Sequence, residues 1–145
     1  MAGHPIKAVL DTSVYLPFIN KGITHPVLDA RMGRPLLYMI AVVMEELYAG
    51  AFDKTSIKLL DKMFETFDKL DRLVVPDAND WQRAGKVIAQ LGGKYGFENI
   101  FLARITNDAL IALSARRIGA FVVTHNIKDF QRIREFVDFK LYGSS

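Results

Sequence analysis

The sequence predicts an α/β fold built on a parallel sheet. Short apolar runs bounded by turn residues recur along the chain, and helical patterns separate them. Acidic residues follow those runs closely. The carboxyl ends of parallel strands are where ligands gather in such sheets.

Each element has a local reason. Lys7–Leu10 is apolar and ends in Asp11-Thr12-Ser13, which reads as a buried strand followed by a helix cap. Val14–Ile19 reads as a short helix, shortened by Pro17, and His25–Met32 as another, ended by Gly33. Leu36–Ile40 is the second strand and runs into a helix over Val42–Ala51. Lys54–Leu70 carries Ile57, Leu60, Phe64 and Phe67 on one helical face. Arg72–Val75 is the third strand, closed by Pro76. Asp77 or Asn79 caps the next helix, which carries Trp81, Ala84, Val87, Ile88 and Leu91. The aromatics Phe64, Phe67 and Trp81 are expected in the core.

The Gly92–Asn99 stretch (GGKYGFEN) reads as the loosest connection of the chain, and Phe97–Arg104 fits no single template. Thr106–Ile118 is a helix with Ala109, Leu110, Leu113 and Ile118 apolar, stopped by Gly119. Phe121–Val123 is the fourth strand, Ile127–Arg134 a short helix and Val137–Leu141 a fifth strand.

A chain of 145 residues has the usual size of one domain, and 50% hydrophobic residues suffice for a substantial core. There is no cysteine, which excludes disulfides, zinc–thiolate sites and thiol nucleophiles. The N-terminus lacks the layout of a signal peptide, and no apolar run reaches the ~18 residues of a membrane span. A cytoplasmic location is the expectation. The formal charge is +3, from 19 Lys and Arg against 16 Asp and Glu. If four carboxylates converge on a metal, 19 cations face 12 anions elsewhere, a balance suited to a polyanion.

Four acids fall where the carboxyl edge of the sheet belongs: Asp11, Glu46, Asp108 and Asp129. Asp11 follows the first strand, Glu46 lies in the helix after the second, Asp108 opens the helix leading into the fourth and Asp129 lies just beyond it. Each also has a simpler reading. Asp11 and Asp108 suit helix caps, Asp129 a first-turn dipole partner and Glu46 a solvated helix position. Together they make an oxygen-rich site for a hard cation, and without one they would repel each other. Glu45 competes with Glu46. At about 100° per residue, Glu46 flanks the face of Val43, Leu47 and Gly50, whereas Glu45 points to solvent. Thr12, Thr124 and Asn126 can hydrogen-bond the carboxylates. Arg104, Arg116 and Lys128 are candidates for holding a substrate backbone, with solvated helix charge as the alternative. His25 and His125 lack partners at metal-ligand spacing.

The strings LDTS (Asp11 to Ser13), ExxxG (Glu46 to Gly50), NDALIALSA (Asn107 to Ala115) and THNIKDF (Thr124 to Phe130) resemble those of the PIN-domain ribonucleases. The resemblance is closest to the VapC-type toxins of toxin–antitoxin pairs. It covers nearly the whole chain and implies a single PIN-like nuclease domain over residues 1–145. The implied fold is a three-layer α/β/α sandwich around a parallel sheet of four to five strands. The implied activity is magnesium-dependent cleavage of RNA, with manganese as a substitute and transfer RNA as a common target. By position, Asp11, Glu46, Asp108 and Asp129 match the family's catalytic and metal-binding acids, and Thr124 its supporting hydroxyl. A VapB-type antitoxin and a homodimer are the implied partners. Ser13 stands where many members have Asn, and the Gly92–Asn99 connection is unusual.

Two other classes compete. One is a non-catalytic RNA- or protein-binding domain of the same fold. The other is a phosphoaspartate protein using Asp11, but the phosphatase pattern wants a second Asp where Ser13 stands.

Overall fold

The computed structural model describes residues 6–22, 35–99 and 102–143. Strands β1 (Lys7–Leu10), β2 (Leu36–Ile40), β3 (Leu73–Val74), β4 (Phe121–Thr124) and β5 (Lys140–Gly143) form one sheet in the order β3-β2-β1-β4-β5. Every neighbouring pair is parallel. The helices are α1 (Thr12–Lys21), α2 (Ala41–Ala49), α3 (Lys54–Lys69), α4 (Ala78–Tyr95), α5 (Leu102–Ile118) and α6 (Ile127–Arg134), with a short 3-10 turn at Phe97–Asn99. The expected α/β class and parallel sheet are therefore present. The helix expected at His25–Met32 lies outside the described residues.

The strand order explains the layering. The chain moves from β1 through β2 to β3 in one direction, then crosses to β4 and β5 in the other. Right-handed crossovers place the helices of each direction on opposite faces. The packing follows: α1 contacts α2 and α3, while α5 contacts α4 and α6. The reversal falls between β1 and β4, the switch point where such sheets open a crevice at their carboxyl ends. Asp11 N–H donates to Val123 O at 3.1 Å, which extends the β1–β4 ladder one residue beyond Leu10.

The core lies on both sides of the central strands. Ala8, Val9, Met39, Ile40, Val122 and Val123 are buried from the sheet, and Ala109, Leu110, Ile111, Ala112 and Leu113 from α5. A parallel strand covered on both faces needs continuous apolar residues, as these runs supply. No helix among the described residues is long and apolar enough to cross a membrane.

Several boundaries depart from expectation for identifiable reasons. Pro17 does not end α1, which continues to Gly22, where φ is 68° and the N–H closes on Phe18 O at 2.8 Å. The Gly92–Asn99 stretch is not loose: α4 runs through both glycines to Tyr95. The Phe97 ring lies against Gly92 and leaves no room there for a Cβ. Helix α5 starts at Leu102 rather than Thr106, and the Thr106 hydroxyl bonds back to Leu102 O at 2.7 Å instead of capping. The last strand starts three residues later than expected, because the amides of Phe136 and Val137 still bond Ile133 O.

Trp81 is 56% exposed and Phe64 is also exposed, against the expectation of core positions. In the first turn of α4 the buried residue is Asp80, held by the capping box with Asp77 and by Arg117. Helix α3 buries only Leu60 fully, and Phe67 packs on the core's edge.

Candidate active site

A pocket of about 250 Å³ opens at the carboxyl end of β1, lined by Asp11, Thr12, Ser13, Leu16, Glu46, Arg104, Asp108, Ile111 and Asn126. The strand–helix junctions of the sheet deliver these residues. Asp11 to Ser13 come from the β1–α1 junction, Glu46 from α2 and Asn126 from the β4–α6 turn. Arg104, Asp108 and Ile111 lie on one stripe of α5, at spacings of four and three residues.

Asp11 occupies the N-cap position of α1, yet no capping bond closes from its side chain. Its oxygens go elsewhere. Ser13 Oγ donates to Oδ1 at 2.5 Å, and Thr124 Oγ1 donates to Oδ2 at 2.7 Å. Burial pushes the Asp11 carboxyl above its ordinary range. The two hydroxyls, with weaker help from the first-turn amides of Val14 and Ser13, pull it back. Asp108 is only 7% exposed, and its Oδ2 has no hydrogen-bond partner among the described residues. Burial pushes its carboxyl up to about 8, aided by the charges of Asp11, Asp129 and Glu46 and opposed by Arg104. Because α5 starts at Leu102, Asp108 sits well inside the helix, and its capping reading falls.

Glu46 is half-buried in the pocket wall, where Thr12 Oγ1 donates to its Oε1 at 2.8 Å. Glu45 is exposed and outside the pocket. Asp129 does not line the pocket. Its Oδ2 accepts from Asn126 Nδ2 at 3.1 Å and pairs with Arg104 Nη2 at 3.1 Å. Thus Thr12, Thr124 and Asn126 each donate to a different acid.

Of the three candidate cations, only Arg104 lines the pocket. Lys128 is exposed on the first turn of α6. Arg116 is exposed eight residues beyond Asp108, about 12 Å along the helix axis at 1.5 Å per residue. The end of α5 lies at the opposite edge of the sheet, where Lys7 Nζ bonds Ile118 O at 3.3 Å. Arg116 is therefore remote from the acids.

Asp11, Glu46 and Asp108 line the pocket, and Asp129 lies outside its lining. No group of three or more among the described His, Asp and Glu is close enough to hold a metal ion by itself. Glu46 and Asp129 accept from the donors beside them, Thr12 for Glu46 and Asn126 with Arg104 for Asp129.

Sequence reading missed Ser13, Leu16 and Ile111 as site residues. Ser13 stands two residues after Asp11 at a helix start, a spacing that lets a hydroxyl return to a carboxylate. Ile111 follows Asp108 by three residues and shares its helix face.

A family model for the PIN domain matches residues 8–135. No match is found among curated proteins. Several solved structures are similar. DNA-bound VapBC from Salmonella typhimurium matches at 21% identity and a TM-score of 0.68, covering 95% of this chain and 98% of that one. VapBC2 from Rickettsia felis, bound to a promoter DNA fragment, matches at 23% identity and 0.68, covering 97% and 100%. VapBC-1 from nontypeable Haemophilus influenzae matches at 24% identity and 0.64, covering 95% and 98%. At these identities the likeness carries the fold. The family model spans all four acids and nearly the whole chain, and so the chain belongs to the PIN-domain family.

Proposed function

We propose that this chain is a metal-dependent endoribonuclease and the VapC-type toxin of a type II toxin–antitoxin pair. One observation carries the enzymatic reading: Asp108 Oδ2, buried and without a donor among the described residues, in a pocket shared with Asp11 and Glu46. An unsatisfied buried acceptor costs about 1–3 kcal/mol, more when charged. Such a cost is tolerated where a ligand relieves it.

The donors suit a hard cation. They are carboxylate and hydroxyl oxygens, and among the described residues no sulfur and no imidazole lines the pocket. Magnesium needs only one or two carboxylates and keeps its remaining waters, which fits acids spaced around a cavity. Asp11 and Asp108 would hold it, with Glu46 in the same pocket lining, and manganese is the expected substitute. When bound, the cation supplies a polarised water and offsets charge developing on the phosphate.

The chain's own residues set the rest. Ser13 and Thr124 fix the Asp11 carboxylate from both sides, and Thr12 holds Glu46. Leu16 and Ile111 supply the apolar part of the pocket lining. The cationic balance outside the pocket favours a polyanionic substrate.

The antitoxin reading draws on the similar structures, whose descriptions name VapBC complexes, two of them with DNA. A VapB-type antitoxin is proposed on that basis, and a homodimer on the family resemblance alone. The competing reading is a PIN-like domain that binds RNA without cutting it. Incubation with structured and single-stranded RNA in magnesium, manganese or EDTA separates the two. The nuclease predicts metal-dependent fragments. Intact RNA under every metal, with salt-sensitive binding retained, rejects it.

A further inference from the structure

Asp129 stands apart from the other three acids. It lies outside the pocket lining, while Arg104, its ion-pair partner at 3.1 Å, lies within it. The acid faces the guanidinium and the guanidinium faces the cavity. We propose that Asp129 is not a metal ligand but the anchor of Arg104, and that Arg104 is the clamp for an RNA phosphate at the pocket mouth. The identity of the ligand rests on the nuclease reading above.

Three observations carry this. First, Asp129 Oδ2 already accepts from both Asn126 Nδ2 and Arg104 Nη2. A divalent cation taking the same carboxylate would compete with a guanidinium for it and bring two cations together. Second, Arg104 precedes Asp108 by one helical turn, so its charge sits beside the buried acid and opposes the repulsion there. A phosphate bridging to Arg104 would meet the acids' counter-ion at the same place. Third, Arg104 is the one Lys or Arg among the described residues that lines the pocket, and its side chain is 53% exposed. A guanidinium offers five donors in a rigid fork, so one can stay on Asp129 while others turn to phosphate oxygens. Holding it beforehand reduces the side-chain freedom lost on binding.

The test uses the full chain with a short single-stranded RNA, in calcium to slow cleavage, read by fluorescence anisotropy across a salt series. Manganese affinity is measured separately by calorimetry, and melting curves confirm folding. Arg104→Ala is expected to weaken RNA binding about tenfold and flatten the log–log salt slope by about 0.7. Arg104→Gln gives the same result if the alanine variant melts early. Arg104→Lys restores the slope but not the full affinity. Asp129→Asn weakens RNA binding while leaving manganese affinity within about twofold, and the double variant binds no worse than Arg104→Ala alone.

A loss of manganese affinity of about tenfold or more in Asp129→Asn overturns the proposal, since that is the loss expected of a metal ligand or of a side chain that orients one. So does an unchanged salt slope in Arg104→Ala, or a wild-type protein that binds no RNA. Cleavage in magnesium is scored apart. Wild-type protein that binds RNA through Arg104 but never cuts it rejects the nuclease reading and leaves the clamp standing.

Discussion

Thr124 Oγ1 donates to Asp11 Oδ2 at 2.7 Å and joins the ends of β4 and β1 across 113 residues of sequence. Ser13 Oγ holds the other oxygen. Each hydroxyl is itself aimed by an amide of one turn: His125 N–H donates to Ser13 Oγ at 3.0 Å, and Asn126 N–H to Thr124 Oγ1 at 2.8 Å. A hydroxyl that accepts from a fixed N–H points its own proton elsewhere, here to Asp11. The β4–α6 turn thereby orients both oxygens of a carboxylate on another strand.

Removing that hydroxyl should uncouple the two. Thr124→Val keeps the shape and loses the donor. Manganese affinity is expected to fall about 10- to 100-fold, the usual cost of losing an outer partner of a ligand. Thr124→Ser should retain most of it. Calorimetric titration of the three proteins checks this, and equal affinities would discard the orienting role.

The raised Asp108 carboxyl makes the metal-free protein sensitive to pH. The unfolded chain ionises this group near its ordinary value of 3.8, the folded protein only near about 8. Between those values the folded state binds more protons, so stability falls as pH rises, by at most about 1.4 kcal/mol for each pH step of one. In EDTA the melting temperature should therefore drop from pH 5 to pH 8. Asp108→Asn should flatten that slope, and magnesium should stabilise the wild type more at pH 8 than at pH 5. Identical profiles for wild type and Asp108→Asn would contradict the assignment.

The legible parts of this fold are those that local chemistry decides. Apolar runs located all five strands, and α6 was read at its observed bounds. Glu46 was separated from Glu45 by helix phase alone. The errors share a cause, which is that tertiary contacts settle local ambiguity. Gly92 and Gly93 read as loose because no sequence pattern reveals Phe97 folding back onto Gly92. Starting α5 at Thr106 left Arg104 off the helix and hid its alignment with Asp108. Arg116 was misplaced because the direction of α5 relative to the sheet was not applied to its far end. The place of Asp129 outside the pocket lining was not legible either, since spacing along a chain carries no distance across a pocket.

The choice between adjacent glutamates gives a direct comparison. Glu46→Gln should slow RNA cleavage about tenfold or more, the scale set by outer and inner metal partners. Glu45→Gln, exposed and outside the pocket, should leave it within about twofold. Parallel rate measurements decide, and equal effects would undo the helix-face argument.

Arg117 carries stability rather than chemistry. Its Nε lies 3.0 Å from the buried Asp80 carboxylate and its Nη2 donates to Val75 O at 2.9 Å. Arg117→Met leaves both acceptors short of a donor at about 1–3 kcal/mol in total. Urea denaturation should report that loss, while manganese affinity stays unchanged. No shift in the urea midpoint would refute the contact's importance.

The central claim is that Asp11 and Asp108 form a cation-dependent hydrolytic site. Its most direct measurement is the single-turnover rate of RNA cleavage in magnesium for wild type and the isosteric Asp108→Asn. The account predicts cleavage by the wild type, its abolition by EDTA, and a rate lowered by orders of magnitude in the variant with its fold intact. Cleavage by Asp108→Asn at the wild-type rate, or wild-type cleavage that persists in EDTA, would contradict it.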